Sequence, residues 1–225
     1  MTDVADILPH ILALLGEGAW TAAQIAAGAA AIAFAGGLLL AVVNVFTPFA
    51  AVRLAIAAYT EWMRNVPALA HLFLLYFGLA SVGVRLTPLT AAIAGLGLVG
   101  AAVLCDVFTA GLRALHAGQR EAALAVGLTP LQALRCIVLP QVLRLTLPAI
   151  GNYASQLVKD TSIASAIAAP EIMFFARNLV TSTFQTPLIY ASAIALYAVI
   201  VLPVSWLFAR AERRLAASGG VGGAR

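Results

Sequence analysis

Two stretches of this chain, Trp20–Phe46 and Thr186–Ala209, contain no Asp, Glu, Lys or Arg. Each is longer than the roughly 20 apolar residues a helix needs to cross the hydrocarbon core of a bilayer. Composition decides between lipid and an outsized soluble core. Of the 225 residues 63% are hydrophobic and 10% are charged, where a soluble domain carries roughly a quarter charged residues. The mean hydropathy is +1.00. An ordinary cytosolic enzyme is excluded, and so is a disordered chain, which needs high charge and few apolar residues.

Three further runs fit the same length: Val66–Val84, Leu86–Leu112 interrupted only by Asp106, and Leu145–Ala169 carrying Lys159 and Asp160. The expected fold is therefore an all-α integral membrane protein, a single transmembrane domain over 1–225. Its five spans are 20–46, 66–84, 86–112, 145–169 and 186–209. The apolar stretch Ile7–Leu15 is too short to cross and is expected to lie along the membrane surface. Asp3 and Asp6, with no basic residue before that stretch, argue against a signal peptide. The Gly-rich tail 218–225 is expected to be flexible.

The 13 basic residues give the orientation. With the N-terminus outside, ten fall on inner segments (Arg53, Arg64, Arg113, Arg120, Arg135, Arg144, Arg210, Arg213, Arg214 and Arg225). Three (Arg85, Lys159, Arg177) fall outside or within a span. The positive-inside rule then sets N-out, C-in. The net charge of +4 is scattered and forms no basic stripe, so nucleic acid is not an expected partner.

The long inner segment, 113–144, reads as helix, turn, helix. Gly118 opens a short helix over 119–126, and Gly127 ends it, because glycine takes the left-handed C′ conformation without penalty. Thr129-Pro130-Leu131-Gln132 then restarts a helix: Thr129 at N-cap, Pro130 at N1, and Gln132 at N3 completing a capping box. This second helix is expected to end near Leu139-Pro140. The small residues Ala122 and Ala123 beside Glu121 let another protein surface approach closely.

Glu121-Ala122-Ala123, then Gly127, then Ile137-Val138-Leu139-Pro140 resembles the signature loop of permease subunits in ABC importers. Arg64-Asn65-Val66-Pro67-Ala68-Leu69 with Leu72–Gly78, and Lys159-Asp160-Thr161-Ser162, is similar to the pattern of polar amino acid permeases. The resemblance implies the type I importer permease fold and a coupling helix (Gly118, Gln119, Glu121, Ala122, Ala123, Gly127) docking on a separate ATPase. It also implies two ATP-binding cassette subunits, an extracytoplasmic amino acid-binding protein, and a second permease subunit, identical or paralogous. Two departures stand out. Asp106 and Thr109 replace the Glu-x-x-Arg often seen near the end of span three, and Leu115–Gln119 lacks the Val-Pro that commonly precedes the coupling helix.

The chain's single lysine, Lys159, is not in a P-loop, so no nucleotide site is expected; ATP and Mg belong on partner subunits and no cofactor on this chain. Cys105 and Cys136 and the three histidines show no metal spacing. Charged side chains within a span usually face protein or a water-filled path. Asp106, Gln156, Lys159, Asp160, Thr161 and Ser162 are thus candidates for the translocation path. The competing expectation is an ion pair of Lys159 with Asp106 or Asp160, fastening spans three and four together. An ion-coupled secondary transporter working as a dimer is the alternative function, with Asp106 and Asp160 holding the ion.

Overall fold

The computed structural model describes residues 4–115 and 117–219. Eight helices follow one another: α1 Val4–Phe46, α2 Ala50–Asn65, α3 Ala68–Ser81, α4 Pro88–Ala114, α5 Ala117–Ala125, α6 Pro130–Ile167, α7 Ile172–Thr183 and α8 Thr186–Gly219. Among the described residues α1, α4, α6 and α8 are long and apolar enough to cross a membrane, and the bent pair α2–α3 passes the same test only when its two helices are taken together. The fold is all-helical and multi-pass, as the composition requires.

Helix α4 is the hub. Of its most apolar window 61% is buried inside the protein, against 11% for that of α8, which lies at the rim. Glycines let α1 close onto α4: a Cβ at Gly37 would stand 2.7 Å from Leu104 Cβ, and one at Gly97 would stand 2.8 Å from Ile32 Cβ. Ala33, Ala41, Leu104, Cys105 and Phe108 are buried in the seam, where Phe34 meets Phe108 edge to face at 5.4 Å. Small residues supply this contact because lipid offers no hydrophobic drive between helices; tight packing must.

Four expectations need correction. Ile7–Leu15 is not a separate surface helix. It is continuous with the span, so α1 has 43 residues and is about 64 Å long at 1.5 Å per residue, twice the hydrocarbon thickness. Ile11 and Leu15 are fully buried with Ile172, Ala176 and Leu179 of α7. Gly18 permits that contact, since its Cβ would come within 2.8 Å of the Glu171–Ile172 backbone. A docked neighbour, absent from any local reading, turns a short apolar stretch into core.

Within the expected second span, 66–84, the helix occupies Ala68–Ser81 and is preceded by an elbow into another helix rather than by a loop. Pro67 forces the residue before it out of helical geometry, and Val66 sits at φ −94, ψ 134. Helices α2 and α3 therefore meet at an angle of 104°. Arg64, assigned to an inner segment, lies on α2 just before this elbow. Tyr59 of α2 donates to Leu98 O at 2.7 Å, which carries the elbow to the middle of α4.

The third correction concerns Pro140. It has no N–H and its ring crowds the carbonyl one turn back, yet the helix runs through it. A widened π turn over Ala133–Val138 absorbs the clash, and the Gln141 side chain donates to Ile137 O at 2.9 Å. The helix that carries the expected fourth span thus starts at Pro130, and the irregular stretch between helices is correspondingly short. Finally, α8 continues beyond 209 through Gly219; Ser218 and Gly219 of the expected flexible tail belong to it, and 220–225 lie outside the described residues.

Candidate functional site

The turn between α5 and α6 is built by local chemistry. Gly127 has φ +89, the left-handed conformation that glycine adopts most cheaply. Its N–H donates to Leu124 O at 3.0 Å and that of Leu128 to Ala123 O at 3.1 Å, the paired bonds of a Schellman ending. Two residues on, Thr129 Oγ1 accepts from Gln132 N at 3.3 Å, and Thr129 N donates to Gln132 Oε1 at 2.9 Å. This is the capping box the sequence indicates. Both helix ends are closed, so a short hydrogen-bonded turn joins α5 to the start of α6.

The exposed face of this segment comprises Gln119, Glu121, Ala122, Ala125 and Val126, the last 78% exposed, with Leu131 of the next turn also open. Ala123 is different: it is buried, on the side of α5 that packs against the π turn. Gln119 additionally approaches Gln141 Nε2 at 3.5 Å. The residues singled out for docking are therefore divided, most facing outward and Ala123 holding α5 to its own span.

A second feature runs along α4 and α6. A groove of about 510 Å³ is lined by Ala68, Val99, Gly100, Val103, Asn152, Tyr153, Gln156 and Asp160. It continues past Ala68, Val99 and Val103 into a second hollow of about 400 Å³ at the elbow, lined by Arg64 and Asn65. Asn152, Gln156 and Asp160 recur every fourth residue and share one face of α6. Gln156 Nε2 donates to Asp160 Oδ1 at 2.8 Å. The Tyr153 hydroxyl is buried without a protein partner among the described residues and lies over Gly100, where a Cβ would collide with it.

Arg64 at the elbow is ion-paired to Asp106 of α4. Both side chains stay about half exposed, 48% and 45%, and Arg64 lines the elbow hollow. This overturns the expected pairing of Asp106 with Lys159. Lys159 is one residue, about 100° of helix rotation, away from Asp160. It faces another hollow with Ser155, Ser205 and Glu212, against α8. Thr161 is fully buried and donates to Val158 O at 2.7 Å, and Ser162 donates to Lys159 O at 2.8 Å. Of the six candidates, then, Gln156 and Asp160 line the groove, Asp106 is held by Arg64 at the elbow, and Lys159, Thr161 and Ser162 lie outside its lining.

Sequence reasoning passed over Glu171. Its carboxylate is fully buried at the N-terminus of α7, accepting from Met173 N at 2.9 Å, Phe174 N at 2.8 Å and the Tyr197 hydroxyl at 2.5 Å. Burial pushes this carboxyl up from its ordinary range, against the pull of its three donors and of Arg177. The group pins α7 to α8. Its only local signal is an acid at N-cap just before an apolar run.

The family model described as binding-protein-dependent transport system inner membrane component matches residues 33–217. The chain belongs to this family. It is thus the multi-pass inner-membrane component of a binding-protein-dependent importer. It is 34% identical to the probable glutamine ABC transporter permease protein GlnM of Bacillus subtilis over 83% of this chain and 88% of that one. It is also 29% identical to the glutamine transport system permease protein GlnP of Escherichia coli K12, over 80% and 82% of the two chains. Among solved structures, an amino acid ABC transporter crystallised with histidines superposes with TM-score 0.84 at 28% identity, covering 95% of this chain and 99% of that one. The MetNI methionine ABC transporter, at 22% identity and TM-score 0.78 over 91% and 97%, shares the fold. The permease family gives the ion-coupled alternative no support.

Proposed function

We propose that this permease carries a polar or charged amino acid inward, powered by ATP hydrolysis on separate subunits. The reading is supported most directly by its relatives, whose names specify glutamine, cystine and amino acid transport. Two ATPase subunits holding ATP and Mg grip the α5 helices of two permease subunits, identical or paralogous. An extracytoplasmic binding protein delivers substrate. ATP binding closes the ATPase pair and pushes α5; the Schellman ending and capping box transmit that push to α6 without slack. Helix α6 carries Asn152, Gln156 and Asp160, so the groove changes access as it tilts. The amino acid's ammonium and carboxylate meet hydrogen-bonding groups there in place of water.

The docking face is tested by site-directed cross-linking. Val126→Cys, in a Cys136→Ser background and coupled to a photoactivatable maleimide, is expected to form an adduct with the ATPase subunit. Val199→Cys, 65% exposed on α8, is expected to form none. Adducts from position 199 but not 126 would refute docking through α5.

A further inference from the structure

We propose that Asp106 sets the charge preference of the groove by occupying Arg64, so that the groove admits cationic and neutral amino acids and rejects acidic ones. The proposal rests on the transport reading above and deepens it. Two charged side chains line the continuous groove, Arg64 and Asp160, and Asp106 is ion-paired to Arg64. Arg64 donates to Asp106 Oδ2. Asp160 has a neutral partner, Gln156, while the lysine beside it lies in a different hollow. With Arg64 neutralised, the groove presents the Asp160 carboxylate, its charge offset in part by the neighbouring Lys159, and hydrogen-bonding amides.

A guanidinium left free at that place would act in the opposite sense. Its planar fork of donors matches a carboxylate in two parallel hydrogen bonds. At the elbow it would stand in a hollow walled by Val66, Val99 and Val103. Asp106 fills that fork from within the protein. Half exposure of both partners leaves the pair within reach of a solute in the groove, so breaking it changes what the solute meets rather than only what the core contains.

The test measures direct binding of labelled arginine, glutamine and glutamate to the complete permease–ATPase complex in nanodiscs. The binding protein is left out so that its own selectivity is not read. The wild type is expected to bind glutamate at least tenfold more weakly than arginine. Asp106→Asn frees Arg64, and the glutamate-to-arginine affinity ratio should rise at least tenfold. Arg64→Gln should move the ratio the other way, by baring Asp106, and it serves where Asp106→Asn fails to assemble. The double variant removes both charges and should again exclude glutamate. Wild-type complex that binds glutamate as tightly as arginine overturns the proposal, as does an unchanged ratio in an assembled single variant that still binds arginine. Failure of the wild type to bind any of the three would instead bring down the transport-path reading itself, and this proposal with it.

Discussion

Ala122→Trp is expected to reduce ATP-driven uptake at least a hundredfold while leaving the folded permease as stable as the wild type. Ala122 is exposed in the middle of α5, so an indole there meets solvent in the isolated chain and strains nothing within it. Helices pack with axes about 8–10 Å apart when small side chains lie between them; a tryptophan holds a docking partner several ångströms off, and the push from the ATPase is lost. The neighbouring substitution separates the two faces of the helix. Ala123 is buried against its own span, so Ala123→Trp overpacks that contact and should cost about 1–3 kcal/mol of stability. Thermal unfolding in detergent and ATP-driven uptake, measured on both variants, distinguish them. Full transport by Ala122→Trp would mean that the ATPase does not dock on this face.

Asp160→Ala should lower uptake roughly 10- to 100-fold, whereas Lys159→Met should change it less than about threefold. The two residues are adjacent and oppositely charged, and the geometry places them on different faces of α6. Asp160 lines the groove with Gln156; Lys159 faces the hollow beside Ser205 and Glu212. A hydrogen bond to a charged group contributes about 1.5–3 kcal/mol, and each 1.4 kcal/mol is a factor of ten in affinity. Initial uptake rates at subsaturating substrate read that loss. A larger defect in Lys159→Met than in Asp160→Ala would place the path on the α8 side of α6.

How much of this was legible follows the range of the interactions. The Gly127 ending and the Thr129–Gln132 capping box are set within six residues, and the sequence displays both. The uncharged runs of α1 and α8 are legible for the same reason: lipid acts on each residue singly. Tertiary contacts hid the rest. Pro140 reads as a stop because a regular helix cannot continue through it; a π turn removes the conflict, and nothing local announces one. Ile7–Leu15 reads as a surface segment until α7 covers it. Arg64 reads as a loop cation because its partner, Asp106, lies 42 positions away. The recurrence of Asn152, Gln156 and Asp160 at every fourth residue was available in the sequence and separates the groove face from Lys159. What it could not supply was the opposite wall: Gly100 under Tyr153, with Val99 and Val103 beside it.

The central claim is that ATP on partner subunits drives an amino acid through this chain. Its most direct test is uptake of pooled labelled amino acids by proteoliposomes containing the permease, its ATPase and its binding protein, with ATP on the ATPase side. Uptake that requires both ATP and the binding protein, and that splitting the pool traces to a polar or charged amino acid, is the predicted result. Uptake driven by an ion gradient with no ATP present would contradict it.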